Sequence, residues 1–240
     1  MWIEIKGYSI EMYKQVIPLE VGEENQGGRI IHPSCITDEM ANKFYGRFWG
    51  RQDVYSKRTV KKSTGEAGYF LQCNHFWKDA EKNDFANNGE TWMEEVGAMR
   101  LICELNGIDP LVERSRSGRG AHVWFFFDKA VSASTARKFG NALLERGAET
   151  VNLKSFQYYD RMLPAQDSLP GGGLGNLIAL PLQGRALLSG NSAFVDKDWN
   201  VYPNQWNVLW SKPRISAEFM ETKIQEWKRR FLRELRRYRR

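Results

Sequence analysis

Residues 113–127, Glu-Arg-Ser-Arg-Ser-Gly-Arg-Gly-Ala-His-Val-Trp-Phe-Phe-Phe, gather three arginines, two glycines and a histidine within a few positions. These residue types at this spacing suit the capture of a phosphate. Glycines let an anion approach the main chain, backbone N–H groups cradle it, and guanidinium forks reach its oxygens. Leu111 and Val112 lead in and Val123 to Phe127 lead out, both with the apolar make-up of strands. The basic stretch therefore reads as the turn of a hairpin. A solvated basic turn has the same composition, and the residues alone leave both readings open.

A second concentration of charge ends the chain. The net charge is +6, yet residues 228–240 hold eight Lys or Arg against one Glu, which leaves the remainder close to neutral. Ser216 is a suitable N-cap, and Ile224, Trp227, Phe231, Leu235 and Tyr238 follow at helical spacing. The tail reads as an amphipathic helix with an arginine face, which binds nucleic-acid phosphate, stays solvated or meets another domain. Arg114 and Arg116 in the hairpin and Arg236 and Arg237 in the tail are candidate contacts to DNA. Trp199, Trp206 and Trp210 could stack on bases, or else belong to the core.

These groups need a scaffold, and its elements are legible in outline. Trp2-Ile3-Glu4-Ile5-Lys6 alternates like a strand with one wet face. Thr37 opens a helix with Asp38 and Glu39 in its first turn and Met40, Phe44 and Phe48 on one side. Residues 51–68 read as charged loops or short extended pieces. Thr91-Trp-Met-Glu94 is a capping box for a helix to Leu105, stopped by Gly107 and Pro110. After the hairpin, Ser132 or Ser134 caps a helix that Gly147 ends, and strands follow at Val151–Tyr159 and Asn176–Leu182. The order helix, strand, strand, helix, strand, strand predicts an α+β layer, with helices covering an antiparallel sheet. The glycines at 171, 172, 173 and 175 precede a strand instead of opening a helix, so they read as a turn and not a Walker loop.

Composition narrows the class further. Apolar content of 42% and aromatic content of 13% are those of a globular protein. No window reaches the length a membrane span needs, and Glu4 and Lys6 break any apolar leader. Cysteines 35, 73 and 103 are odd in number and widely spaced, which argues for a reducing, cytoplasmic setting.

Four strings carry a resemblance: Phe48-Trp-Gly-Arg-Gln-Asp-Val-Tyr55, residues 112–124 with Ser117-Gly-Arg-Gly-Ala-His122, Tyr159-Asp-Arg-Met-Leu-Pro-Ala-Gln-Asp167, and Gly175-Asn-Leu-Ile-Ala-Leu-Pro-Leu-Gln183. Asn191–Asp196 and Tyr202–Trp206 extend it across most of residues 37–210. The chain resembles the primase-polymerase domain of the archaeo-eukaryotic primase superfamily, especially the branch in bacterial TOTE conflict systems and mobile elements. The resemblance implies a core over 37–212 with an RRM-like antiparallel sheet covered by helices, between an N-terminal strand and loop (1–36) and the basic helix (213–240). It implies a nucleotidyltransferase: a DNA primase or DNA-directed polymerase extending primers on a DNA template from nucleoside triphosphates with Mg²⁺ or Mn²⁺. Helicase or nuclease domains of the same system are the implied partners. By the same resemblance, Ser117, Arg119 and His122 hold the nucleotide, Asp160 is the metal ligand, and Asp160 and His122 are catalytic. Asn176 is a polar contact to sugar or base and Gln183 a weaker one, while Asp167 rivals Asp160 as ligand or is a turn carboxylate.

The family's first acidic motif, Asp-x-Asp or Asp-x-Glu at the end of an apolar strand, is expected just before the helix near Thr91. No such strand precedes that helix here. Cys73-Asn-His-Phe-Trp77 runs into Lys78-Asp-Ala-Glu-Lys-Asn-Asp84, where Asp79, Glu81 and Asp84 have no apolar strand to position them. Cys73 with His75 falls short of a four-ligand zinc site. The first motif is lost, excised or left out of the numbering. If it is lost, the alternative is a catalytically inactive nucleotide- or nucleic-acid-binding module on the same fold.

Overall fold

A computed structural model describes residues 1–6, 36–48, 55–60, 67–72, 92–151, 156–168 and 178–238. In chain order the elements are β1 (Trp2–Lys6), α1 (Asp38–Arg47), β2 (Tyr55–Val60), β3 (Ala67–Gln72), α2 (Trp92–Leu105), β4 (Leu111–Arg114), β5 (Gly120–Trp124), α3 (Ala133–Thr150), β6 (Tyr159–Leu163), α4 (Gly184–Leu187), α5 (Gln205–Ser211) and α6 (Ala217–Tyr238). The α+β class holds. β2 and β3 pair as a hairpin, so the stretch read as loop or short extended pieces contains regular strands.

The main sheet is antiparallel with order β4-β5-β1-β6. Its central position beside β5 is filled by β1, from the start of the chain. With β1 in place, the main-sheet strands and their helices follow the sequence β-α-β-β-α-β of a split βαβ motif, although α1 and the β2–β3 hairpin intervene after β1. The strand that comes before α2 in this sheet is thus supplied from the start of the chain.

Pleat and register sort the side chains into two faces. Val112, Val123, Ile3 and Met162 stand opposite one another across the four strands. All four are buried in one apolar cluster with Val96 and Met99 of α2, Phe139 and Leu143 of α3, and Met220 and Trp227 of α6. Ser132 caps α3 by accepting from the Thr135 N–H at 3.1 Å, and Ser216 caps α6 through the Phe219 N–H at 3.1 Å. Trp227 stacks on Phe139 with ring centroids 5.9 Å apart. The basic helix is therefore bound to the same core by its apolar side.

The opposite face has two parts. Leu111, Trp124 and Leu163 pack with Phe194 and Leu209 and with Phe44 and Phe48, so α1 and α5 cover this end. Arg47 fixes the arrangement by donating to the carbonyls of Leu209 and Lys212 while its guanidinium lies 4.4 Å from the centre of the Phe126 ring. The next row is polar: Glu113, His122, Glu4 and Arg161 occupy consecutive register positions from β4 to β6.

Three boundaries differ from expectation. α3 continues through Gly147 to Thr150, because this glycine answers to packing and not to termination: a Cβ there would sit 3.1 Å from the Phe156 ring. β6 starts at Tyr159, where the predicted strand was to end, so Asp160 lies inside the strand. The described part of the next predicted strand, 178–182, is not a strand; Ile178 and Leu180 are exposed, and Leu182 has φ 62°.

Candidate nucleotide site on the polar row of the sheet

The hairpin turn closes on itself. Ser115 N–H donates to the Gly120 carbonyl at 2.7 Å and Gly118 N–H to the Ser115 carbonyl at 2.9 Å. Ser117 Oγ lies 3.2 Å from Ser115 Oγ and accepts from the Arg119 N–H at 3.4 Å. The backbone N–H groups of Gly118 and Arg119, expected to be offered to a phosphate, are engaged within the turn. What the turn presents is therefore mainly side chain, with Arg116 exposed and Arg119 half-buried.

Gly118 is required at its position for two reasons. Its φ is 77°, and a Cβ would come within 2.8 Å of the Asn191 side chain. Gly118→Ala should cost about 1–2 kcal/mol for the left-handed conformation alone, and Asn191 must move as well. Urea unfolding of the variant measures that loss.

Behind the turn, Glu113 organises a buried polar cluster. Its carboxylate accepts from Trp124 Nε1 at 2.8 Å and from Ser192 Oγ at 3.1 Å, and its Oε2 lies 3.0 Å from His122 Nδ1. Glu113 is 1% exposed and His122 6%. Ser192 reaches the carboxylate from the segment 192–195, which runs along the outer edge of β4. That segment bonds through Val195 N–H to the Val112 carbonyl and accepts from Arg114 N–H at Ala193. Ser192 sits at φ 53° and also accepts from the Gln183 N–H at 3.2 Å.

On β6 the register slips between Glu4 and Ile5, whose partners are Arg161 and Tyr159. Asp160 is the extra residue of this bulge, a device that re-aims a side chain out of the regular pleat. Its carboxylate accepts from Arg161 Nε at 2.7 Å and remains 20% exposed. Glu95 of α2 sets the approach to this strand, its carboxylate accepting from the backbone N–H groups of Gln157 and Tyr158. Burial raises the neighbouring Tyr159 phenol above its usual pKa; Arg137 opposes the shift and Asp160 adds to it. By strand spacing, the His122 and Asp160 backbones stand about 10 Å apart across β1.

The remaining expected site residues divide clearly. Ser117 and Arg119 belong to the turn next to His122. Arg114 is turned toward the 190–199 segment, donating to the carbonyls of Gly190 at 3.3 Å and Trp199 at 2.6 Å, and burial lowers its guanidinium pKa. Arg236 and Arg237 belong to α6, which packs with α3 on the other side of the sheet. Asp167 is exposed and accepts from Arg137 Nε at 2.8 Å, while Gln183 donates to the Leu180 carbonyl at 3.0 Å. Trp206 is buried, and Trp199 meets the buried Trp92 edge-on at 4.7 Å. Asn176, the 171–175 glycines, Cys73, His75, Asp79, Glu81, Asp84 and Thr91 lie outside the described residues. Glu113, Trp124 and Ser192 are the members of the cluster that the sequence reading missed. The alternation Glu113, His122, Trp124 across a hairpin was the available signal, since those three must share one face.

No group of three or more His, Cys, Asp or Glu side chains converges as a metal cage among the described residues. Divalent cations at nucleotide sites use one or two carboxylates and take their other ligands from phosphates and water. Asp160 fits that lesser requirement. No helix of the described residues is long and apolar enough to cross a membrane.

A search of curated proteins returned no match. The family model described as the archaeo-eukaryotic primase domain of the TOTE conflict system matches residues 81–223, more than half of the chain. That span includes the arginine turn, Glu113, His122 and the Asp160 strand, but stops short of β1. On this match the chain belongs to the archaeo-eukaryotic primase domains of TOTE conflict systems.

Proposed function

We propose that this chain binds a nucleoside triphosphate over the polar row of its sheet and transfers the nucleotide to a primer on a DNA template. The observation that carries this reading is the buried His122, held at Nδ1 by Glu113 directly beside the Ser117–Arg119 turn. An imidazole so held, with guanidinium groups alongside, suits a polyphosphate. Ser117, Arg119 and His122 contact the phosphates, and Asp160, re-aimed by its bulge, supplies oxygen to Mg²⁺ or Mn²⁺. When bound, the cation would supply neutralisation of the phosphate charge. Arg116 and two arginines of the tail helix, Arg236 and Arg237, bind DNA phosphate in this reading; Arg114 instead holds the 190–199 segment. Asn176 remains a candidate contact to sugar or base.

A second reading is favoured by the sequence before α2, where Asp79, Glu81 and Asp84 have no apolar strand to present them as a first acidic motif. The chain then binds nucleotide or nucleic acid and leaves transfer to another component. Primer extension by the full chain, with Mn²⁺ or Mg²⁺ and labelled nucleotide, separates the two. Metal-dependent extension supports transfer, and nucleotide binding without extension supports the second reading. Neither binding nor extension would overturn both.

A further inference from the structure

We propose that Glu113 is a positioning residue for His122: its carboxylate fixes the ring with the proton on Nδ1, so that Nε2 is the atom presented to a nucleotide phosphate. This deepens the proposed function and rests on its placement of the triphosphate.

Glu113 is buried, so its carboxylate oxygens need donors. Two donors, Trp124 Nε1 and Ser192 Oγ, point at it from β5 and from the 192–195 edge segment. One of them comes from Ser192, whose φ of 53° lies in the left-handed region, a conformation that tends to persist at functional sites. Ser192 in turn accepts from Gln183 N–H, so both of its hydrogen-bonding roles are fixed. With Trp124 and Ser192 donating, the carboxylate is an acceptor for Nδ1, and a ring that donates from Nδ1 must meet its ligand through Nε2. A neutral ring offers a lone pair there. A protonated ring offers an N–H, and an anionic phosphate selects that form.

Two measurements on the full chain test this. Long-range ¹H–¹⁵N spectra, with His122 assigned from a His122→Gln variant, read the ring directly. The neutral ring should carry its proton on Nδ1, and adding ATP with Mg²⁺ should protonate Nε2. A neutral ring protonated on Nε2 in the wild type would overturn the proposal without any variant at Glu113. In the second measurement, Glu113→Gln and His122→Ala are combined in an ATP-binding cycle. Each single change should weaken binding about tenfold, and Glu113→Gln should have no further effect once His122 is gone. Independent, multiplying losses would assign Glu113 a general structural role and overturn its action through His122. A wild type that fails to bind nucleotide refutes the proposed function, while the ring spectra still decide whether Glu113 sets the tautomer.

Discussion

Ile3→Ala is expected to lower the unfolding free energy by about 2–5 kcal/mol, the cost of emptying a well-packed aliphatic site. Ile3 is fully buried, between Val123 on one neighbouring strand and Met162 on the other. It anchors the strand on which β5 and β6 both depend for their hydrogen bonds. Against a total stability of about 5–15 kcal/mol for a domain, that is a large share. Leu188→Ala is the control: Leu188 is 67% exposed, and surface changes usually stay within about 0.5 kcal/mol. The same reasoning predicts that a fragment limited to residues 81–223, which lacks β1, gives no cooperative urea transition. A fragment that unfolds as sharply as the full chain would show that β1 is dispensable.

The largest functional effect is expected at Asp160. Asp160→Ala should reduce metal-dependent nucleotide incorporation by about a thousandfold, the equivalent of several kcal/mol of lost charge stabilisation. Folding should change little, because the side chain is partly exposed and its ion pair with Arg161 is near the surface. Asp167→Ala provides the comparison. Its carboxylate is 65% exposed and pairs with Arg137 at the end of the turn, so incorporation should remain near the wild-type rate. Equal rates for Asp160→Ala and wild type would remove Asp160 from the mechanism, and a collapse in Asp167→Ala would exchange the two assignments.

The elements that could be read from sequence are those whose signals are local. Thr37 was legible as a helix start, Ser216 as a cap, and Ser132 or Ser134 as another, with Ser132 the one that accepts from the N–H three residues on. The arginine hairpin was legible because its flanking apolar runs are short and its turn contains Gly118 at positive φ. The placement of β1 was not. Its alternation marked Trp2–Lys6 as a strand, but nothing local states which strands it joins, and only the assembled sheet puts it between β5 and β6.

Sequence reading of the site reached its parts but not their connection. The Ser-Gly-Arg-Gly-Ala-His string indicated His122, yet the ring's partner is Glu113 on the other arm of the hairpin, and Ser192 reaches that carboxylate from 79 residues farther along. Arg114 read as a candidate contact to DNA because its neighbours are basic; in the fold its guanidinium is turned to two backbone carbonyls. Gly147 read as a helix stop because glycine often is one, whereas here Phe156 needs the space. In each case the deciding contact comes from outside the element that carries the residue.

The proposed triphosphate spans the polar row from the 115–120 turn and His122 to the Asp160 bulge. Titrating ATP with Mg²⁺ into the ¹⁵N-labelled full chain tests this placement most directly, with backbone amide shifts mapped residue by residue. Saturable shifts concentrated at Ser117, Arg119, His122 and Tyr159–Arg161 are the predicted result. Shifts confined to α6, or none along this row, would contradict it.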